Sequence, residues 1–167
     1  GIIHRLGIMN TENQVKQWVM KYKGQLESET LAEVRKWFEN DVKFHIRESM
    51  VREMDMHRRQ GGKLVILSAA TDYICNIVKT HLSMDEVICT KLEVKNGRFT
   101  GKLLDGYCYG EEKLVRAITY CRHQGFPLDT AYCYGDSLAD AHVMKKTRYP
   151  VCVNPDWRLL RLARKKK

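Results

Sequence analysis

The segment Tyr134-Gly135-Asp136-Ser137-Leu138-Ala139-Asp140 carries the most specific chemical signal in the chain. An apolar run ends in Gly-Asp, and a second aspartate follows four residues later. If a strand here passes into a helix, the two carboxylates lie one turn apart on one side. Carboxylates converging at a strand end suit a hard cation such as Mg²⁺, which takes oxygen ligands and shares its shell with phosphate and water. The same residues also read more simply as a helix cap, Asp136, followed by an exposed Asp140.

Two further positions suit an anion. Ser68 closes the run Leu64-Val-Ile-Leu-Ser68. Its hydroxyl, with the N–H groups of Ala69 and Ala70, suits an anion at a helix N-terminus, although a helix-entry serine would look the same. Lys113, in Gly110-Glu-Glu-Lys113, is expected in the first turn of a helix, where a cation opposes the macrodipole. A charge placed against local preference can mark a function, whereas an isolated lysine is more often a surface residue.

The elements that must hold these groups follow from the hydrophobic period. Up to residue 60 the spacing is helical, with Val15, Trp18, Val19 and Tyr22 at i, i+3, i+4 and i+7, and with Leu31, Val34, Phe38, Val42, Ile46 and Met50 similarly spaced. Gly61-Gly62 ends that pattern. From there short apolar runs alternate with helical segments. The run to Ser68 precedes a helix capped by Asp72. Val87 to Thr90 leads to an Asn96-Gly97 hairpin signal, a helix spans Glu111 to Gln124, and Ala131 to Tyr134 precedes a helix from Leu138. A strand at Pro150 to Val153 comes last. This alternation predicts an α/β fold with a parallel sheet, right-handed crossovers and helices on both faces, in which ligands bind beyond the carboxyl ends of the strands.

Length and composition bound the rest. A chain of 167 residues with 44% hydrophobic and 29% charged residues suffices for one domain with an appendage, because chains of this size bury about two-thirds of their unfolded surface. Cys75, Cys89, Cys108, Cys121, Cys133 and Cys152 stand singly in apolar segments without a C-x-x-C pair, as reduced thiols in a cytoplasmic protein do. No apolar run approaches the roughly 20 residues of a membrane span. The net charge of +9 sits partly in the run Arg158 to Lys167. A nucleic-acid or membrane-surface partner would suit that run, and a solvated helix end anchored by its leucines fits it equally well; without aromatic interleaving neither partner is the leading expectation, and a basic interaction module binding anionic lipid or nucleic acid through the run stands as a third reading.

Taken in order, the succession hhhhS, G-x-x-K and hhhhGDxxxD resembles motifs two, three and four of the haloacid dehalogenase superfamily, most closely its phosphoserine-phosphatase-like subfamily with a helical cap between motifs one and two. The resemblance covers nearly the whole chain. It implies a Rossmann-like three-layer parallel sheet, with residues 1–60 as the helical cap segment and residues 61–167 as the α/β core. It further implies that Ser68, Ala69 and Lys113 hold the phosphoryl oxygens of a small phosphorylated metabolite, that Asp136 binds Mg²⁺, and that Asp140 orients Lys113 or metal-bound water. These roles suit phosphoryl transfer, which rests on positioning and charge neutralisation.

Two departures qualify the resemblance. Ala139 stands where many relatives carry an asparagine. Motif one, an apolar strand ending in D-x-D, is absent, since no two aspartates of the chain are separated by one residue. In the family, the first of those aspartates is the nucleophile and the second the general acid and base. The sheet would also lack its first, central strand. The expectation is therefore a phosphomonoester hydrolase working through an aspartyl-phosphate once an N-terminal segment, or a second chain, supplies that strand, and inactive without it. The alternative is a catalytically dead member that binds a phosphorylated ligand or a protein partner.

Overall fold

A computed structural model of the chain describes residues 12–165; Lys166 and Lys167 of the basic run lie outside that range. The described residues form two compact units, divided between Tyr107 and Cys108. The boundary expected at residue 60 is a division by hydrophobic period, whereas by packing the first unit continues to Tyr107.

The first unit begins with helices α1 (Glu12–Met20), α2 (Glu27–Asn40) and α3 (Glu48–Arg59). Strand β1 (Val65–Thr71), helix α4 (Asp72–His81), strand β2 (Glu86–Thr90) and the hairpin β3 (Leu92–Lys95) and β4 (Arg98–Leu103) follow. β1 and β2 are parallel, with Val65 to Leu67 in register with Glu86 to Ile88, and α4 is the crossover that parallel pairing requires. β3 and β4 are antiparallel. Their turn falls on Asn96 (φ 51°) and Gly97 (φ 70°), the two positive φ values that make Asn-Gly a strong hairpin signal.

Two apolar clusters hold this unit together. Phe38 and Val42 pack with Ile74, Cys75 and Cys89, which seats α2 on α4 and β2. Val15 and Val19 pack with Leu92 and Phe99, flanked by Trp18, Tyr22 and Tyr73, which seats α1 on the hairpin. Polar contacts reinforce the elements around the first cluster. Arg58 donates from α3 to the carbonyls of Leu82 and Ser83, satisfying acceptors that the end of α4 leaves open. Asp85 accepts from the Leu64 amide at 2.7 Å, aligning the starts of β1 and β2.

The second unit contains α5 (Glu111–Gln124), β5 (Tyr132–Gly135), α6 (Ala141–Met144), β6 (Tyr149–Cys152) and α7 (Trp157–Arg164). β5 and β6 are parallel and in register from Tyr132↔Tyr149 to Gly135↔Cys152. Ala141, Met144 and Leu159 form the cluster behind β5, with Cys133 and Leu162 against it. The helix expected at Leu138 opens as a single 3-10 turn, Leu138–Asp140.

The expected parallel pairing is present, as two separate pairs. Among the described residues β1 pairs only with β2, and β5 only with β6. All six cysteines are free, and no helix among the described residues is long and apolar enough to cross a membrane.

Phe38, 2% exposed at the centre of its cluster, should dominate the stability of the first unit. Phe38→Ala is expected to destabilise it by about 3–5 kcal/mol through lost burial and the cavity left behind. A denaturant melt of wild type and variant would show this as a lowered midpoint at unchanged slope, and a change under about 1 kcal/mol would mean that the site collapses or is not core.

Candidate active site

In the second unit the sequence places a glycine before an aspartate at the end of β5, and the structure uses both. A Cβ on Gly135 would meet the Asp140 Cβ and the Met144 sulfur, each at 2.8 Å. Only glycine therefore allows the 3-10 turn to fold back so closely over the strand end. Ser137 and Asp140 form a reciprocal capping box, which satisfies donors at the start of the turn. The Asp140 Oδ2 accepts from the Asp136 amide at 3.2 Å, the Ser137 amide at 3.3 Å and the Ser137 hydroxyl at 3.1 Å.

The other oxygen of Asp140 faces Lys113. The Lys113 ammonium donates to Asp140 Oδ1 at 2.6 Å, and both side chains are nearly enclosed, 8% and 14% exposed. Lys113 sits in the first turn of α5, after Gly110 at φ 55°. A buried lysine there bears both desolvation and an opposing macrodipole, so its carboxylate partner is what makes the placement tolerable. The pair lies against Cys133, whose thiol is pushed up to about 11 by burial and secondarily by the Asp140 carboxylate. That cysteine is a neutral packing group.

Asp136 differs from Asp140. It is exposed, and its backbone carbonyl accepts from the Asp156 amide at 2.7 Å, which fixes the main chain while the carboxylate has no hydrogen-bond or ion-pair partner among the described residues. Unengaged carboxylate oxygens at a strand end are the donor type a hard cation uses. No group of three His, Cys, Asp or Glu side chains capable of holding a metal occurs among the described residues. The residues thus fit Mg²⁺ as a partial donor set, which is the usual case for an ion that keeps its waters and binds through one or two carboxylates plus phosphate.

Lys113, Asp136 and Asp140 therefore come together within the second unit, whereas Ser68 and Ala69 belong to the first. β1 continues three residues past Ser68, and its ladder with β2 is irregular between Leu67 and Thr71. At this irregularity Ser68 Oγ accepts from the Ala70 amide at 3.1 Å, and the fully buried Thr90 donates to the Ala69 carbonyl at 2.9 Å. The helix that follows starts at Asp72 itself, with Thr71 as an N-cap lacking a side-chain bond. The cap expected at Asp72 is thus shifted by one residue. Asp72 Oδ1 is buried without a hydrogen-bond partner. Desolvation holds this carboxyl above its ordinary range, with Glu27 adding to the effect and backbone amides and Lys91 opposing it.

Sequence reasoning passed over Ser137 and Thr90. The Ser-x-x-Asp spacing of Ser137 and Asp140 was a readable capping signal. Thr90 offered none, because its role is a contact across 21 residues.

A serine within β1, a lysine in the first turn of α5 and a Gly-Asp pair at the end of β5, on units of parallel strands and helices, are the parts of a haloacid dehalogenase-like α/β fold. The chain belongs to the haloacid dehalogenase-like hydrolases, whose family model matches residues 2–145. A probable phosphatase of Mycobacterium tuberculosis is 30% identical over 100 residues, covering 60% of this chain and 34% of that protein. The chain thus spans about a third of the length of that relative. A Bordetella pertussis protein of unknown function superposes with a TM-score of 0.85 at 20% identity, covering 98% of this chain and 74% of that one. A phospho-aspartyl intermediate analogue of phosphoserine phosphatase superposes at 0.66 and 18% identity, covering 95% and 81%. These two likenesses carry the fold.

The buried pair should be fragile to removal of one partner. Lys113→Met is expected to cost about 3–5 kcal/mol by leaving Asp140 uncompensated, while Lys113→Met with Asp140→Asn recovers part of the loss, since the amide removes the buried charge and its oxygen keeps the Asp136 and Ser137 donors. A double-mutant cycle by thermal melting checks this, and additive effects would show that the two charges do not depend on each other. Asp72 yields a pH prediction. Its raised folded value means that folding takes up a proton above the unfolded range, so stability falls as pH rises through that value and stays lower at neutral pH. Asp72→Asn should therefore melt above wild type at pH 7, with the advantage shrinking toward pH 4. An advantage that grows on acidification would reverse the sign assigned here.

Proposed function

We propose that this chain is the part of a Mg²⁺-dependent phosphomonoester hydrolase that positions the phosphoryl group, and that the nucleophile is supplied by an apolar strand bearing D-x-D. That strand comes either from the same polypeptide or from a second chain. The observation that carries the reading is the Lys113–Asp140 pair, a buried cation held at 2.6 Å beside an unengaged carboxylate. A helix start does not favour a lysine in that position, so a charge-neutralising task explains it better than fold stability does.

In this reading residues 1–60 act as the cap that selects a small phosphorylated metabolite, and residues 61–167 carry the chemistry. Lys113 neutralises charge on the equatorial phosphoryl oxygens and Ser68, with the Ala69 amide, fixes their orientation. Asp140 is a positioning residue. Its Oδ2 is already held by three donors, so it aims the lysine rather than ligating an ion. Asp136, together with carboxylates of the D-x-D strand, would hold Mg²⁺, which supplies neutralisation of the phosphate charge. The added strand also supplies the aspartate carboxylate that attacks phosphorus to form the aspartyl-phosphate, and the second aspartate that protonates the departing alcohol oxygen. A strand partner suits β1 and β5, each of which pairs on one side only among the described residues, since an unpaired apolar edge invites strand addition.

The test measures phosphate release from phosphoserine and other phosphomonoesters with Mg²⁺, by the chain alone and by the chain fused to, or mixed with, a D-x-D strand segment. The chain alone is expected at background, because loss of a nucleophile costs several orders of magnitude. The complemented protein should turn over, and Asp136→Ala or Lys113→Ala should lower kcat by on the order of 10²–10³. Turnover by the chain alone that Asp136→Ala abolishes would place the nucleophile elsewhere in these residues.

A further inference from the structure

The charge of this protein is concentrated at one end of the sequence. Residues 145–167 contain nine cations, Lys145, Lys146, Arg148, Arg158, Arg161, Arg164, Lys165, Lys166 and Lys167, and one carboxylate, Asp156. This stretch therefore accounts for +8 of the net +9. The single carboxylate is already committed, since Asp156 caps α7 by accepting from the Leu159 amide at 2.7 Å.

Elsewhere among the described residues the chain pairs some of its cations locally, as in Lys16–Glu12, Lys43–Glu39, Arg58–Asp55 and Arg116–Glu112. In the basic stretch it pairs none. Lys145, Lys146, Arg148, Arg158, Arg161, Arg164 and Lys165 are all exposed. The contacts that they make are the rings beneath Arg148 and Arg158, those of Tyr149 and Trp157. Among the described residues none of the seven has a carboxylate partner.

The helix that carries three of them, with Lys165 as its C-cap, is also amphipathic in an unusual sense. Leu159 is buried and Leu162 packs beside it on the Ala141–Met144 cluster, which anchors the inner stripe. The outer surface is not purely polar. Trp157 is 66% exposed and Leu160 38% exposed, one turn apart, with Arg158, Arg161 and Lys165 on the neighbouring stripe at i, i+3 and i+7. By sequence alone the run fits a solvated helix end and a contact with a polyanion or membrane surface equally well. A solvated end has no use for an exposed indole and leucine among unpaired arginines, so their exposure changes the reading.

We propose that α7 is a membrane-surface contact, docking this protein on a bilayer that displays anionic lipid headgroups. The unpaired cations supply the attraction to the headgroups, and Trp157 and Leu160 enter the boundary between headgroup and acyl chain, the depth at which indole rings settle. Nucleic acid explains the cations and a stacking indole, but an aliphatic side chain such as Leu160 gains nothing from a base or a phosphodiester. The bilayer uses all of the exposed residues. This contact is independent of the catalytic reading, because none of its residues belongs to the Lys113, Asp136 and Asp140 cluster.

The experiment is co-sedimentation of the full chain with vesicles of phosphatidylcholine alone or with 30% phosphatidylserine by design, at low and high salt. Binding is expected to the anionic vesicles only and to weaken with salt. Arg158→Gln, Arg161→Gln and Arg164→Gln together should weaken it on the order of a hundredfold, since each surface cation contributes roughly fivefold. Trp157→Ala with Leu160→Ser should weaken it several-fold while leaving the salt dependence unchanged, and Trp157 emission in wild type should shift to the blue on binding. All substituted positions except Leu160 lie well out in solvent, and a matching thermal midpoint confirms folding. Equal binding to both vesicle types overturns the proposal. So does full binding by the Trp157 and Leu160 variant, or tighter binding to a single-stranded oligonucleotide than to vesicles at the same salt, since either leaves a general polyanion patch.

Discussion

A lysine ammonium buried against an aspartate at the start of a helix is the constraint around which the second unit is organised. The ion pair between Lys113 and Asp140 works against solvation and against the helix dipole, so the pair must be met by geometry that holds the carboxylate still. Ser137 and the Asp136 amide do that by occupying Asp140 Oδ2 and leaving Oδ1 for the lysine. The turn can reach this position only because residue 135 has no side chain to collide with Asp140 and Met144. One polar contact thus explains a glycine, a serine and one of the two aspartates in a seven-residue segment.

The same segment separates two roles that a pair of carboxylates could share. Asp140 has every oxygen engaged by protein donors and acts on its neighbours. Asp136 keeps its carboxylate in solvent, with its backbone pinned by Asp156. A rigid main chain carrying an uncommitted carboxylate is suited to receive a ligand, whereas a fully bonded carboxylate is suited to aim another side chain. Asp156 couples this site to α7, because its amide holds Asp136 while its side chain caps that helix.

The first unit is built on different terms, mostly apolar. α1 and α2 have no independent means of burying their inner faces, and each obtains it from a strand or helix distant in sequence, α1 from the hairpin and α2 from α4 with β2. This is why the unit reaches Tyr107 rather than ending where the helical period stops. Ser68 lies here at a local irregularity of the β1 ladder, pinned through the Ala69 carbonyl by Thr90. Backbone that leaves its ladder near a strand end can present amides to an anion, which regular pairing would consume.

Local signals determined a good deal by themselves. The helix from Glu111 to Gln124, the Asn96-Gly97 turn, the alternation of strand and helix, and the motif order that marks the family all rest on interactions between residues near in sequence, which periodicity and turn chemistry report directly. Placement by a residue or two was less legible. β1 outruns Ser68 and α4 starts on Asp72 because the pairing with β2, not local preference, decides where that strand stops. Only the tertiary structure decided that Lys113 is buried rather than on the surface, that Asp140 serves it while Asp136 remains open, and that Trp157 and Leu160 face outward on α7 whereas Leu159 faces in. Each of these depends on a partner many positions away, and the sequence pattern of a single element carries no information about what will be packed against it.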